Sequence, residues 1–206
     1  PLDTPRKEKV SIFCNVTARD IISAPDVESI YDVPVNFEKE HLGRRILEKV
    51  GLKPRHHLSP SWRAMIRRMR AAHIPVRIGI VGKYFGTGDF MLSDSYLSVI
   101  ESIRHAEWSG GRTPEIDWLN AEQYEKGPKS VRELDRYHAV IVPGGFGARG
   151  VEGKITAIRH CRERAIPFLG LCYGMQLATI EFARNVCHLR GAHTTEVDSK
   201  TKHPVI

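Results

Sequence analysis

The chain has 206 residues, 41% of them hydrophobic and 27% charged, which is enough for one full domain with a core and part of another. It holds no apolar run long enough to cross a bilayer, and its polar start does not read as a signal peptide. Lys and Arg number 31 against 24 Asp and Glu, a net charge of +7; such an excess suits nucleic acid or nucleoside triphosphates, but no nucleic-acid motif goes with it, so nucleic acid is the disfavoured partner.

Residues 1–9 are polar and lack an initial Met, so the chain is expected to begin inside a longer protein. Residues 9–14, Lys9-Val-Ser-Ile-Phe-Cys14, alternate and predict a short strand. A loop with half a turn of helix follows over 15–22, then a turn and a modest helix or strand over 23–31. Residues 38–50 predict a helix with Leu42, Ile46, Leu47 and Val50 on one face and Gly51 as its stop. Two short strands and one or two helices bury too little to fold alone, so residues 1–52 read as one end of a domain. Residues 53–74 read as a basic linker. Within it Ser59 or Ser61 caps a helix that turns Trp62, Met65, Ile66 and Met69 inward and Arg63, Arg67, Arg68 and Arg70 outward. A solvated connector is favoured there over a helix for nucleic acid or acidic lipid.

From residue 75 the pattern changes. Strands are predicted over 76–81, 115–119, 139–142 and from 168. Helices are predicted over 94–106, over 153–164 and from 175 to about 188. Alternating strands and helices define an α/β fold, a parallel sheet with helices on both faces, whose sites lie beyond the strand C-termini. Two stretches fall at that edge. Ala139-Val-Ile-Val142 runs into Pro143-Gly-Gly-Phe-Gly147, whose glycines expose backbone N–H groups that can receive an oxyanion, although such a loop can equally bind phosphate or be merely tight. Phe168-Leu-Gly-Leu-Cys-Tyr-Gly174 is a strand turning sharply into a helix, with glycines two places before and after Cys172. This is a nucleophile elbow. Its helix N-terminus favours a thiolate. An isolated Cys in a βα unit is more often a small buried residue, but the flanking glycines weigh against that here. Cys14, Cys161 and Cys187 join Cys172 without metal-type spacing and read as free thiols of a reducing cytoplasm. Elbow and loop together point to acyl transfer from a carboxamide.

These stretches, with Val81-Gly-Lys-Tyr84, Asp94-Ser-Tyr-Leu-Ser-Val-Ile-Glu101, Gly150-Val-Glu-Gly-Lys154 and Ile180-Glu-Phe-Ala-Arg-Asn185, resemble class I glutamine amidotransferases, and among them the CTP synthase family. Lys9-Val-Ser-Ile-Phe-Cys-Asn-Val16 and Ile22-Ser-Ala-Pro-Asp-Val-Glu-Ser-Ile-Tyr31 resemble the end of that family's P-loop-type amidoligase domain. The resemblance implies an amidoligase end over 1–52 and an amidotransferase domain over 75–206, incomplete at its C-terminus. It implies a glutamine-hydrolysing ligase that makes CTP from UTP, ATP and glutamine, with ATP and Mg²⁺ as cofactors, GTP as activator and a homotetrameric state. Cys172 would be the nucleophile, and the backbone N–H groups of Gly145 and Tyr173 the oxyanion hole. Gly145, Phe146, Tyr173, Gly174, Met175, Gln176 and Glu196 would bind glutamine, and Lys9, Phe13, Asp26 and Val27 the nucleotides, with the metal ligands lying outside this chain. Such enzymes carry a His and a Glu well after the elbow. His188, His193 and His203 follow Cys172 here, none with Glu two places on, so the chain is expected to be truncated at both ends and to turn over glutamine little or not at all. A non-catalytic amidotransferase-like module, and the amidotransferase of another pathway such as GMP or anthranilate synthesis, are the alternatives. The kept thiol argues against the first, and the N-terminal fifty residues against the second. Residues 85–93 form a longer loop than in many relatives.

Overall fold

The structure, a computed structural model, describes residues 2–53, 60–83, 96–127 and 130–206. Ser59 as a cap, Tyr84, Asp94 and the loop 85–93 lie outside them. The chain forms two compact units, Pro1–Ala71 and Ala72–Ile206.

In the first unit, α1 (Thr4–Cys14) replaces the strand expected over 9–14. The Asp3 side chain accepts from the Arg6 N–H, Pro5 sits in the first turn, and Asn15 closes the helix in the left-handed region. A cap and a proline pre-set for helix outweigh a few residues of alternation. The helix expected over 38–50 is two helices, α2 (Val33–Lys39) and α3 (Leu42–Lys49), broken at His41 with φ 58°. Gly51 follows with φ 70°, as its stop role requires. The fourth helix, α4 (Pro60–Ala71), has the expected faces: Ile66 is buried, Trp62, Met65 and Met69 half-buried, and Arg63, Arg67, Arg68 and Arg70 exposed. Trp62 Nε1 donates to the Tyr31 carbonyl at 3.0 Å, and its ring lies 5.8 Å from that of Tyr31. Arg63–Glu38 and Arg70–Asp32 ion pairs, each 2.6 Å, flank this contact.

The second unit is the α/β sheet. Its strands β1 (Ile74–Gly82), β2 (Arg112–Asn120), β3 (Ala139–Val142) and β4 (Phe168–Gly170) lie in the order β2-β1-β3-β4, all parallel. Ile78 pairs with Ala139 and Val140 with Phe168. Successive residues of β3 face opposite sides of the sheet. Val140 and Val142 join Val81, Leu119, Ile155, Ile158, Leu177 and Ile180 under α6 (Val151–Arg164) and α7 (Tyr173–Asn185). Ile141 turns the other way, to Val76, Ile78, Ile80 and Ile103 beside α5 (Leu97–Ser109). Two 3₁₀ segments that the sequence reading passed over, Ala121–Lys126 and Ser130–Arg136, bring Ala121, Tyr124, Val131 and Leu134 into the first of these clusters. Among the described residues no helix is long and apolar enough to cross a membrane.

Candidate active site

Three adjacent strands deliver one group each to the C-terminal edge of the sheet. Strand β1 ends at Gly82 and hands on Lys83, β3 hands on Pro143-Gly-Gly-Phe-Gly147, and β4 hands on Leu171 and Cys172. The Leu171 N–H still donates to the Val142 carbonyl at 2.9 Å, so the chain leaves the sheet only at Cys172. There it turns with φ 51° and ψ −107°, a backbone conformation that costs a non-glycine residue and that clusters at functional sites. Tyr173 opens α7 directly. The turn works only because its flanks are glycines. A Cβ on Gly174 would lie 2.0 Å from the Val142 carbonyl oxygen, and one on Gly170 would lie 2.7 Å from the Gly174 backbone.

Cys172 is exposed, as the elbow requires, whereas burial pushes the Cys161 thiol up to about 12. The PGGFG loop stands against Cys172: a Cβ on Gly144 would lie 3.5 Å from Cys172 Cβ and 3.9 Å from its Sγ. Tyr173 begins a helix, so its N–H lacks an intrahelical acceptor. Among the described residues neither that N–H nor the Gly145 N–H donates to a backbone carbonyl outside its own element. The Tyr173 hydroxyl donates to the Gly147 carbonyl at 3.2 Å, tying elbow to loop. Burial, and then the Glu196 carboxylate, push that hydroxyl's pKa up, which puts the exposed Glu196 charge within electrostatic reach of Tyr173. Gln176 is half-buried in the first turn of α7, where its N–H donates to the Cys172 carbonyl at 3.2 Å. Gly174 is buried, Met175 exposed, and Phe146 76% exposed over the loop.

The structure thus brings Cys172, Gly144, Gly145, Tyr173 and Gln176 together, while Glu196 reaches the site only through its electrostatic effect on the Tyr173 hydroxyl. Two lysines at this site escaped sequence reasoning. Lys83 is 6% and Lys154 1% exposed. Lys83 Nζ donates to the Phe146 carbonyl and lies 5.6 Å from the Phe146 ring centroid. Both lysines stand inside the quoted motifs, but lysine is ordinarily a surface residue and nothing local marks these two as buried.

Among the described residues no hydrogen bond, ion pair or ring contact joins His188, His193 or His203 to Cys172. His193 is buried, its Nδ1 accepts from the Thr194 N–H at 2.9 Å, and its Nε2 lies 4.0 Å from Glu152. Burial, with Arg184 adding to it, lowers its pKa. His188 is exposed with φ 58°. His203 is half-buried, and its carbonyl accepts from the His193 N–H at 3.2 Å. In the first unit Lys9 and Phe13 lie one turn apart on α1, not on a strand; both are exposed, Phe13 at 79%. Asp26 is exposed and Val27 half-buried in a stretch without regular secondary structure. No hydrogen bond, ion pair or ring contact among the described residues joins these two pairs. Nor do any three His, Cys, Asp or Glu of the described residues gather as metal ligands.

An elbow cysteine faced by a glycine loop on a parallel sheet has close counterparts among known proteins. Residues 91–205 match the family described as glutamine amidotransferase class-I, and residues 1–52 match the one described as CTP synthase N-terminus. The chain belongs to the class I glutamine amidotransferase family. Over its whole length it is 45% identical to the CTP synthase of Thermococcus gammatolerans and 44% identical to that of Methanocaldococcus jannaschii, covering 37% and 38% of those proteins. The chain thus spans under two fifths of the length of these curated relatives. Among solved structures, the glutaminase domain of Trypanosoma brucei CTPS with bound acivicin is similar, with TM-score 0.57 and 35% identity over 63% of this chain and 48% of that one.

Proposed function

We propose that this chain is the glutamine-handling part of a CTP synthase, with residues 75–206 in the amidotransferase domain and residues 1–52 at the end of the amidoligase domain. Cys172 attacks the glutamine carboxamide carbon. The oxyanion that forms is received by the Gly145 and Tyr173 N–H groups, and the C–N bond breaks as the nitrogen takes up the proton the thiol gave up, leaving a γ-glutamyl thioester and ammonia. Gln176 and Glu196 hold the α-amino and carboxylate ends of glutamine, with Phe146 over the pocket and Gly174 and Met175 along its wall. The ammonia then aminates UTP activated by ATP. Lys9 and Phe13 belong to the UTP or CTP site and Asp26 and Val27 to the ATP site, GTP acts as activator, and the assembly is a cytoplasmic tetramer. ATP and Mg²⁺ belong to that second step. The described residues offer no ligand set for the metal, so no step here runs through it.

The observation that carries this reading is the strained, exposed Cys172 standing against the Gly144–Gly145 turn at the start of α7. It is tested with a chloroketone analogue of glutamine followed by peptide mapping. Cys172 is expected to be modified ahead of Cys14, Cys161 and Cys187, and free glutamine is expected to protect it. Modification of Cys14 or Cys187 first, or no protection by glutamine, contradicts the reading.

A further inference from the structure

Lys154 is the most deeply buried cation of the described residues, at 1% exposure on the first turns of α6. Burying an ammonium group is costly unless an anion compensates it, and among the described residues Lys154 has no carboxylate in ion-pair range. Its Nζ lies 3.9 Å from the position a Cβ would take on Gly145, and 5.7 Å from the centroid of the Tyr173 ring. Those two residues supply the two N–H groups assigned above to the oxyanion hole. The neighbouring fastenings are continuous with this one: Lys83 holds the carbonyl of Phe146, and the Tyr173 hydroxyl holds that of Gly147. Loop residues 146 and 147 are thus each held through their carbonyls, and the Lys154 ammonium stands near both residues of the hole, beside Gly145 and over the Tyr173 ring.

We infer that Lys154 is a positioning residue for acyl transfer, setting Gly145 and Tyr173 at the spacing the oxyanion needs and adding positive charge behind them. It never bonds to the substrate. Its charge acts when negative charge appears on the carbonyl oxygen, which gives a buried cation a use at a position where an apolar side chain would pack at less cost. Burial, with the Lys83 ammonium adding to it, lowers its pKa from 10.5 to about 8, so the charged form still predominates at neutral pH while the fold works against it. The inference rests on the reading of Cys172 as the acyl acceptor.

The test compares two reactions of the same thiol. With a γ-glutamyl p-nitrophenyl ester, Cys172 adds to the carbonyl, the oxygen becomes an oxyanion, and p-nitrophenolate leaves without needing a general acid. With iodoacetamide, the thiolate displaces iodide at a saturated carbon and no oxyanion forms. Lys154→Met is expected to slow the p-nitrophenolate burst about 10-fold or more, less than the 10²–10³-fold typical for deleting a hole donor outright. The iodoacetamide rate at Cys172 should stay within about twofold, and the melting temperature at pH 7 should hold or rise. Should that variant fail to fold, Lys154→Gln is read by the same ratio of rates. An unchanged burst, or an equal fall in both reactions, overturns the inference while leaving Cys172 in its role. A wild-type chain with no burst above Cys172→Ala overturns the reading of Cys172, and the role of Lys154 falls with it.

Discussion

The two units hold themselves together by different means. In Ala72–Ile206 the sheet is wrapped on both faces, and Ile80, Val81, Val140, Val142, Leu134, Leu177 and Ile180 are fully enclosed. Among the described residues of Pro1–Ala71 only Ile21 and Ile66 are buried apolar residues, while Ile12 and Phe13 are each 79% exposed and Ile30 is 68% exposed. Beside the Tyr31–Trp62 ring contact, what spans that unit is polar: Lys7–Glu40 at 3.0 Å, Lys49–Asp20 at 2.9 Å, and the two arginine pairs of α4. Ion pairs that are largely in water contribute about 0–1 kcal/mol each, whereas one fully buried aliphatic side chain contributes about 1.5–3 kcal/mol. The candidate site sits on the unit with the core. That is where chemistry requiring a fixed oxyanion geometry has to be, because a strained residue such as Cys172 persists only where its surroundings over-determine it.

The contrast can be broken from its strong end first. Gly174→Ala forces a Cβ to within 2.0 Å of the Val142 carbonyl oxygen, so the elbow must shift bodily. We expect a loss of several kcal/mol, on the order of a large core truncation, and loss of selective labelling at Cys172. Both are read by denaturant unfolding and peptide mapping. Leu177→Ala leaves a cavity beneath α7 and should cost about 2–5 kcal/mol, with the near-ultraviolet circular dichroism of the second unit melting at correspondingly lower denaturant.

Weaker effects sharpen the comparison. Lys154 has a folded-state pKa lowered to about 8, so between about pH 8 and 10.5 the unfolded chain binds more protons than the folded one, and stability rises with pH across that window. Below it the full penalty of the buried charge is present. Lys154→Met should therefore be the more stable protein at pH 7, and its advantage should shrink as the pH climbs past 8 in thermal melts. The smallest effect belongs to the first unit. Lys7→Ala removes its pair with Glu40, whose carboxyl pKa the Lys7 ammonium lowers, and should cost less than about 1 kcal/mol. Hydrogen exchange should be fast along α1 and slow at Val140–Val142, and 0.5 M salt should speed it in the first unit only.

What could be read from the sequence follows the same division. The strands, α6, α7, the elbow and the glycine loop were legible because each is written locally, in apolar runs and in glycines whose spacing a tight turn dictates. The first unit was harder. The alternation of Val10, Ser11, Ile12, Phe13 and Cys14 reads as a strand only if a sheet receives it; in the structure none of these residues is buried, and the cap at Asp3 with Pro5 decides the matter. His41 carries no local mark that would split one predicted helix into two. Lys154 and His193 were hidden for another reason. Burial of a polar side chain is a property of packing between distant elements, and a sequence does not display it.

The central claim is that Cys172 accepts an acyl group in a site pre-set for the oxyanion. The most direct measurement is acid quenching of the chain with a γ-glutamyl p-nitrophenyl ester, followed by mapping of any hydroxylamine-labile adduct. The account predicts a γ-glutamyl thioester on the peptide containing Cys172, absent from Cys172→Ala and suppressed by free glutamine. An adduct on Cys14 or Cys187 instead, or one that persists in Cys172→Ala, would contradict it.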